Sequence, residues 1–145
     1  MNDAVLARAA KVYFDANVII YFVEESATYQ TKVANRLYDL IEREIPLATS
    51  ELAIAECLFG AYKRRSPALE QAYDRLFFEE RPFDIETIDF ATLIAAAKLG
   101  AETGLKLIDA AHFCCAMAAR CDVFLTNDRR FRSRGGVEVV RIDDL

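Results

Sequence analysis

The chain has 145 residues, 54% of them hydrophobic, with five Gly and three Pro. That length and apolar content suit one compact domain and argue against disorder, repeats or a low-complexity linker. The net charge of −5 is the wrong sign for a generic nucleic-acid binder, although the runs KRR (63–65) and RRFRSR (129–134) are locally basic. No run is long and uncharged enough to span a bilayer, and MNDAVLARAAK lacks the basic-then-apolar order of a signal peptide. A cytoplasmic protein is therefore expected, as one domain over 1–145 with residues 1–10 as a short N-terminal extension.

In chain order, the extension is followed by an apolar strand, KVYFD (11–15), which ends in Asp15. After Ser26, residues Val33, Leu37, Leu40 and Ile41 recur at helical spacing. Tyr29, Val33, Leu37 and Tyr38 exceed what one sheet face needs, which predicts an exposed interface patch, with packing of all four on the sheet as the alternative. A second strand, IPLAT (45–49), leads to Ser50, placed to cap the helix ELAIAECLFGAYKRR. Pro67 sits at a tolerated first-turn position of the next helix, SPALEQAYDRLFFEE. The third strand is FDIETI (83–88); Asp89 then caps a helix that Gly104 stops. DAAHFCCAMAARC is Ala-rich and helical, DVFLT (122–126) is the fourth strand, and a basic turn precedes the fifth, VEVVRI (137–142). Strands without clean alternation, separated by helices, predict an α/β domain with a mostly parallel five-stranded sheet. Cys57, Cys114, Cys115 and Cys121 form no C-x-x-C pair and read as buried free thiols rather than a zinc site.

Four carboxylates stand at telling places. Asp15 closes strand one, Asp128 lies just past strand four, Glu56 is in the second turn of the helix after strand two, and Asp109 starts a helix. Right-handed crossovers place the C-terminal strand ends along one edge, where open α/β sheets hold their sites. Carboxylates gathered there repel one another unless a hard cation joins them, and oxygen clusters are what Mg²⁺ or Mn²⁺ prefer. Each acid also has an ordinary role open to it: helix cap for Asp109, turn residue for Asp128, surface Glu for Glu56. Asn17 and Thr126 can fix the loops by hydrogen bonds, with plain turn chemistry as the alternative. His112 lies one turn after Asp109 on the same face; it is placed to act near the site, but a satisfied structural histidine is the favoured role.

FDANVIIYF, TSELAIAECLFGAY, TGLKLIDAAHFCCAMA and FLTNDRRF together resemble, in order and spacing, the four motifs of PIN-domain ribonucleases, and among these the VapC-type toxins of bacterial toxin–antitoxin pairs. The resemblance covers nearly the whole chain. It implies a three-layer α/β/α PIN-like domain, metal ligands at Asp15, Glu56, Asp109 and Asp128, and support from Asn17 and Thr126. Glu51 fits less well than Glu56, which is followed by Gly60 as in the family. Many relatives carry Asn in place of Asp128 and another acid three residues on, where this chain has Phe131. Further implications are Mg²⁺- or Mn²⁺-dependent cleavage of structured RNA (commonly transfer or ribosomal RNA), a homodimer, and silencing by a cognate antitoxin.

Metal-assisted in-line hydrolysis suits a chain with one His, since it needs no acid–base histidine pair. Arg129, Arg130, Arg132 and Arg134 are placed to hold flanking phosphates, or form a solvated basic turn. A haloacid-dehalogenase-type phosphatase wants Asp at position 17, which is Asn here; a receiver domain wants paired acids on strand one. PIN nucleases of RNA processing and non-catalytic binding modules are the remaining alternatives.

Overall fold

A computed structural model describes residues 2–145; Met1, the first residue of the extension, lies outside the described residues. Among the described residues, seven α-helices and five strands follow one another: α1 (Asn2–Ala7), β1 (Val12–Phe14), α2 (Ala16–Val23), α3 (Gln30–Glu42), β2 (Leu47–Ser50), α4 (Glu51–Lys63), α5 (Pro67–Asp74), β3 (Asp84–Glu86), α6 (Phe90–Thr103), α7 (Leu107–Ala118), β4 (Val123–Thr126) and β5 (Glu138–Arg141). The sheet has the order β3-β2-β1-β4-β5, and every pairing is parallel. The expected mostly parallel sheet is thus wholly parallel. The chain winds outward from β1 through β2 to β3, then returns to the other side of β1 for β4 and β5. This reversal makes a topological switch point between β1 and β4.

Strand periodicity sorts the core into two faces. Val12 and Phe14 join Leu47, Val123, Leu125 and Val140 in a cluster with residues from α1 to α5. Tyr13, Ala48 and Phe124 face the other way, against Phe113, Cys115 and Ala116 of α7. Helix α6 packs on α7 through Ala96, Ala110, Ala111 and Cys114. Helices on both faces explain why the strands lack polar alternation.

The local stops and starts follow from side chains. Ser50 Oγ accepts from Ala53 N at 3.1 Å to cap α4, and Ser66 and Asp89 cap α5 and α6 in the same way. Gly104 ends α6 at φ 78°, a conformation that L side chains rarely adopt. The helix expected to begin at Ser66 continues past α5 as a π-helical segment, Arg75–Glu80, with Leu76 and Phe77 turned into the core. The N-terminal extension is integral to the core: Val5, Leu6 and Ala9 are buried, and the Asp122 carboxylate accepts from Ala10 N and Lys11 N. All four cysteines are buried and free. Among the described residues, no helix is long and apolar enough to cross a membrane.

The predicted patch on α3 is not an exposed face. Val33 and Leu37 are buried, and Tyr29 stacks on Tyr21 at 4.4 Å; only Tyr38 stands out, at 59% exposure. Position rather than hydrophobicity decides this, because α3 packs on α2 and contributes Val33, Leu37 and Leu40 to the main core cluster.

Candidate active site

Asp15 follows the last residue of β1 and is the N-cap of α2. Its carboxylate is 5% exposed and is held by three donors. Ala16 N reaches Oδ1 at 2.9 Å, while Thr126 Oγ1 at 2.7 Å and Asn17 Nδ2 at 3.1 Å reach Oδ2. Thr126, at the end of β4, in turn accepts from Asn17 Nδ2 at 3.3 Å and from Asp128 N at 3.1 Å. Asn17 Oδ1 accepts from Asn127 N at 3.1 Å. Asn17 and Thr126 therefore stitch the ends of β1 and β4 together at the switch point. Burial dominates over these donors and raises the Asp15 carboxyl above its usual range.

The other three acids come to the same place. Asp15, Glu56, Asp109 and Asp128 line one cleft of about 640 Å³, with Asn17, His112 and Arg130 also in its wall. Asp109 is three residues into α7, whose N-cap is Lys106, so capping is not its role. Its carboxyl is raised by burial, against the pull of Arg130. Its Oδ2 is buried and accepts no hydrogen bond; Arg130 Nη2 lies 3.2 Å away without hydrogen-bonding geometry. Asp128 is held below its usual range by hydrogen bonds from Arg130, whose Nε reaches Oδ1 at 3.0 Å.

The four carboxylates fall into two pairs, each on one cationic or cation-capable group. Asp109 and Asp128 share Arg130. Glu56 bonds to Nε2 of His112, whose Nδ1 is 3.8 Å from Asp15 Oδ1. Among the described residues, no three His, Cys, Asp or Glu side chains are gathered closely enough to form a ready-made ion cage. The residues nonetheless fit a divalent cation: the donors are hard oxygens, and one buried Asp109 oxygen lacks a hydrogen-bond partner.

His112 has the features of both roles open to it in the sequence. Both ring nitrogens are paired, as a structural histidine's should be, yet the ring lines the acidic cleft. Its i, i+3 spacing from Asp109 had placed it on that helix face. Of the basic run, Arg130 alone enters this cleft. Arg132 and Arg134 line an adjoining groove with Ser133, and Arg129 is 4.0 Å from Asp143. Phe131, at the place where relatives carry an acid, is buried against Phe113 and Phe124. Glu51 is not in the cleft's lining; its carboxylate accepts from Ile88 N at 3.0 Å.

The sequence profile of the PIN domain matches residues 12–137. The chain belongs to the PIN-domain family. The PIN fold seen here is shared with solved structures of low sequence identity. A chain of VapBC2 from Rickettsia felis, crystallised with a DNA fragment from its promoter, is 18% identical, with a TM-score of 0.70 over 90% of this chain and 98% of that one. FitAcB from Neisseria gonorrhoeae is also 18% identical, with a TM-score of 0.65 over 92% and 99%. VapC20 from Mycobacterium tuberculosis, described as a sarcin–ricin loop cleaving toxin, is 13% identical, with a TM-score of 0.61 over 78% and 86%. Comparison with curated proteins finds no match. This PIN domain thus has the fold of toxin–antitoxin chains, with its four acids at the sheet's switch point.

Proposed function

We propose that this PIN domain is a Mg²⁺- or Mn²⁺-dependent endoribonuclease acting on structured RNA, and the toxin of a toxin–antitoxin pair. The observation that carries the reading is the convergence of Asp15, Glu56, Asp109 and Asp128, from four separate segments, on one cleft beside β1 and β4. The toxin–antitoxin structures that share the fold point the same way.

Asp15, Glu56, Asp109 and Asp128 would hold the cation. When bound, it supplies Lewis-acid polarisation of a phosphodiester and a water of lowered pKa. Thr126, Asn17 and the Ala16 amide keep the Asp15 carboxylate in one orientation, so it receives a cation with little reorganisation. Arg130 is placed to exchange its carboxylate partners for an RNA phosphate, and Arg132 and Arg134 in the adjoining groove to hold flanking phosphates. Arg129 completes that basic strip from outside the cleft.

EDTA should abolish RNA cleavage and Mn²⁺ or Mg²⁺ restore it, leaving 5′-phosphate and 3′-hydroxyl ends. Asp15→Asn should slow cleavage by at least ~10²-fold, on the scale of a lost electrostatic stabiliser. Cleavage that survives exhaustive chelation, or a near-normal Asp15→Asn protein, would overturn the reading. The partners proposed with it are a second copy of the chain and a cognate antitoxin. Phe59 and Ile108, 67% and 52% exposed in the cleft wall, offer such a protein an apolar hold. Light scattering at micromolar concentration and co-purification with the product of the neighbouring gene test the two partners separately.

A further inference from the structure

One buried polar chain is left over from the cleft's acids and their direct donors. It runs from the sheet into the site. Tyr13 is fully buried in β1, and its hydroxyl lies 2.8 Å from Ser50 Oγ and 3.0 Å from His112 Nδ1. His112, 2% exposed, bonds through Nε2 to Glu56 Oε1. Ser50 is itself fixed as the cap of α4, the helix that carries Glu56. The four residues link β1, the start of α4, α7 and the second turn of α4 in a closed circuit.

Counting donors and acceptors sets the tautomer. An ionised Glu56 offers only acceptors, so Nε2 must carry a proton. With a neutral ring, Tyr13 donates to Nδ1 and Ser50 donates to Tyr13. With a charged ring, Nδ1 donates to Tyr13 and Tyr13 donates to Ser50. Every group is satisfied in both states, and in both Nε2–H faces Glu56.

Resting on the nuclease reading above, we propose that His112 is a positioning residue. Held at Nδ1 by the Tyr13–Ser50 anchor, it presents Nε2–H to Glu56 and fixes that carboxylate's rotamer for cation binding. Glu56 needs such a hold more than Asp15, which already has three donors, because its side chain is 40% exposed and free to swing otherwise.

His112 is the chain's one histidine, so a tag-free sample gives a single imidazole signature in long-range ¹H–¹⁵N spectra. Wild type should show the Nε2–H form, and Glu56→Ala should lose its protection from exchange. Tyr13→Phe keeps the ring that stacks on Phe124 at 5.1 Å and removes only the anchor, so it should fold with its imidazole still Nε2–H toward Glu56 but exchanging that proton faster than wild type. His112→Phe should weaken Mn²⁺ binding, read by calorimetry, by about 10–100-fold. It should lower kcat for RNA with KM nearly unchanged, and His112→Gln, which retains a donor, should recover most of both. Wild-type Mn²⁺ affinity and kcat in a folded His112→Phe or Tyr13→Phe protein would overturn the proposal, as would a neutral wild-type ring protonated at Nδ1 and bare at Nε2. If wild type cleaves no RNA, the nuclease reading falls, and the spectra and Mn²⁺ affinities decide the role of His112 by themselves.

Discussion

Arg130 is the most exposed member of the cleft's charge network, and its partners define what it does. It neutralises Asp109 and Asp128 together, and Asp128 owes its lowered pKa chiefly to the hydrogen bonds Arg130 donates. A guanidinium on two carboxylates occupies charge that a divalent cation would otherwise use. Arg130→Ala should therefore bind Mn²⁺ several-fold more tightly by calorimetry. It should also bind RNA more weakly, with the salt slope of log K reduced by about one phosphate contact. Weaker Mn²⁺ binding in this variant would show that Arg130 organises the acids rather than competing for them. The positions of the acids were legible in the sequence from motif order, whereas Arg130 stood there only as one of four arginines in a basic run. The Tyr13–His112 link was not, because residues 13 and 112 meet only when α7 packs on β1.

Helices α4 and α6 each carry a glycine in their interior, with opposite surroundings. A Cβ on Gly60 would meet nothing within 4 Å, whereas one on Gly100 would lie 3.0 Å from the Leu105 carbonyl oxygen, a backbone atom in the turn between α6 and α7. Gly60→Ala should stabilise the protein by about 0.5–1 kcal/mol through helix propensity. Gly100→Ala should forfeit that gain to the close approach. Urea denaturation of the two variants beside wild type checks this, and equal stabilisation of both would refute the packing argument. The caps Ser50, Ser66 and Asp89 and the stop at Gly104 were readable locally, since each acts within a turn or two of its own position. The π-helical segment after α5 was not: Tyr73 and Phe77 stack 6.0 Å apart against the core, and that burial outweighs the regular α-helical pattern.

For the molecule as a whole, the metal-free cleft has a definite pH signature. Asp15 and Asp109 have folded pKa values raised above their unfolded values, mainly by burial. For His112, burial opposes the charged ring, but the bond to Glu56 and the charges of Asp15, Glu56 and Asp109 outweigh it, and the folded value is raised. Groups with raised folded pKa values bind more protons in the native state, so their stabilisation is complete below the unfolded values and is lost as pH rises through the folded ones. For the carboxyls the loss begins above about pH 4, and for His112 above about pH 6.5. In EDTA, the urea midpoint should be lower at pH 8 than at pH 6, and saturating Mn²⁺ should narrow the gap because it binds only the folded, ionised site. A metal-free midpoint that rises from pH 6 to pH 8 would contradict the assigned shifts.

The amino-acid order alone determined the α/β class, the five strands and the placement of four carboxylates at strand ends and helix starts. Those features depend on local periodicity, caps and motif spacing, which are written along the chain. Tertiary structure decided what depends on distant segments meeting. It buried Val33 and Leu37 rather than exposing them, made α1 part of the core, and divided the acids between Arg130 and His112. A side chain's pattern shows that it can be buried or charged, but which partner it finds there depends on strand order. With β1 between β2 and β4, Asp15 meets Thr126 and Tyr13 meets His112 across 111 and 99 residues of chain.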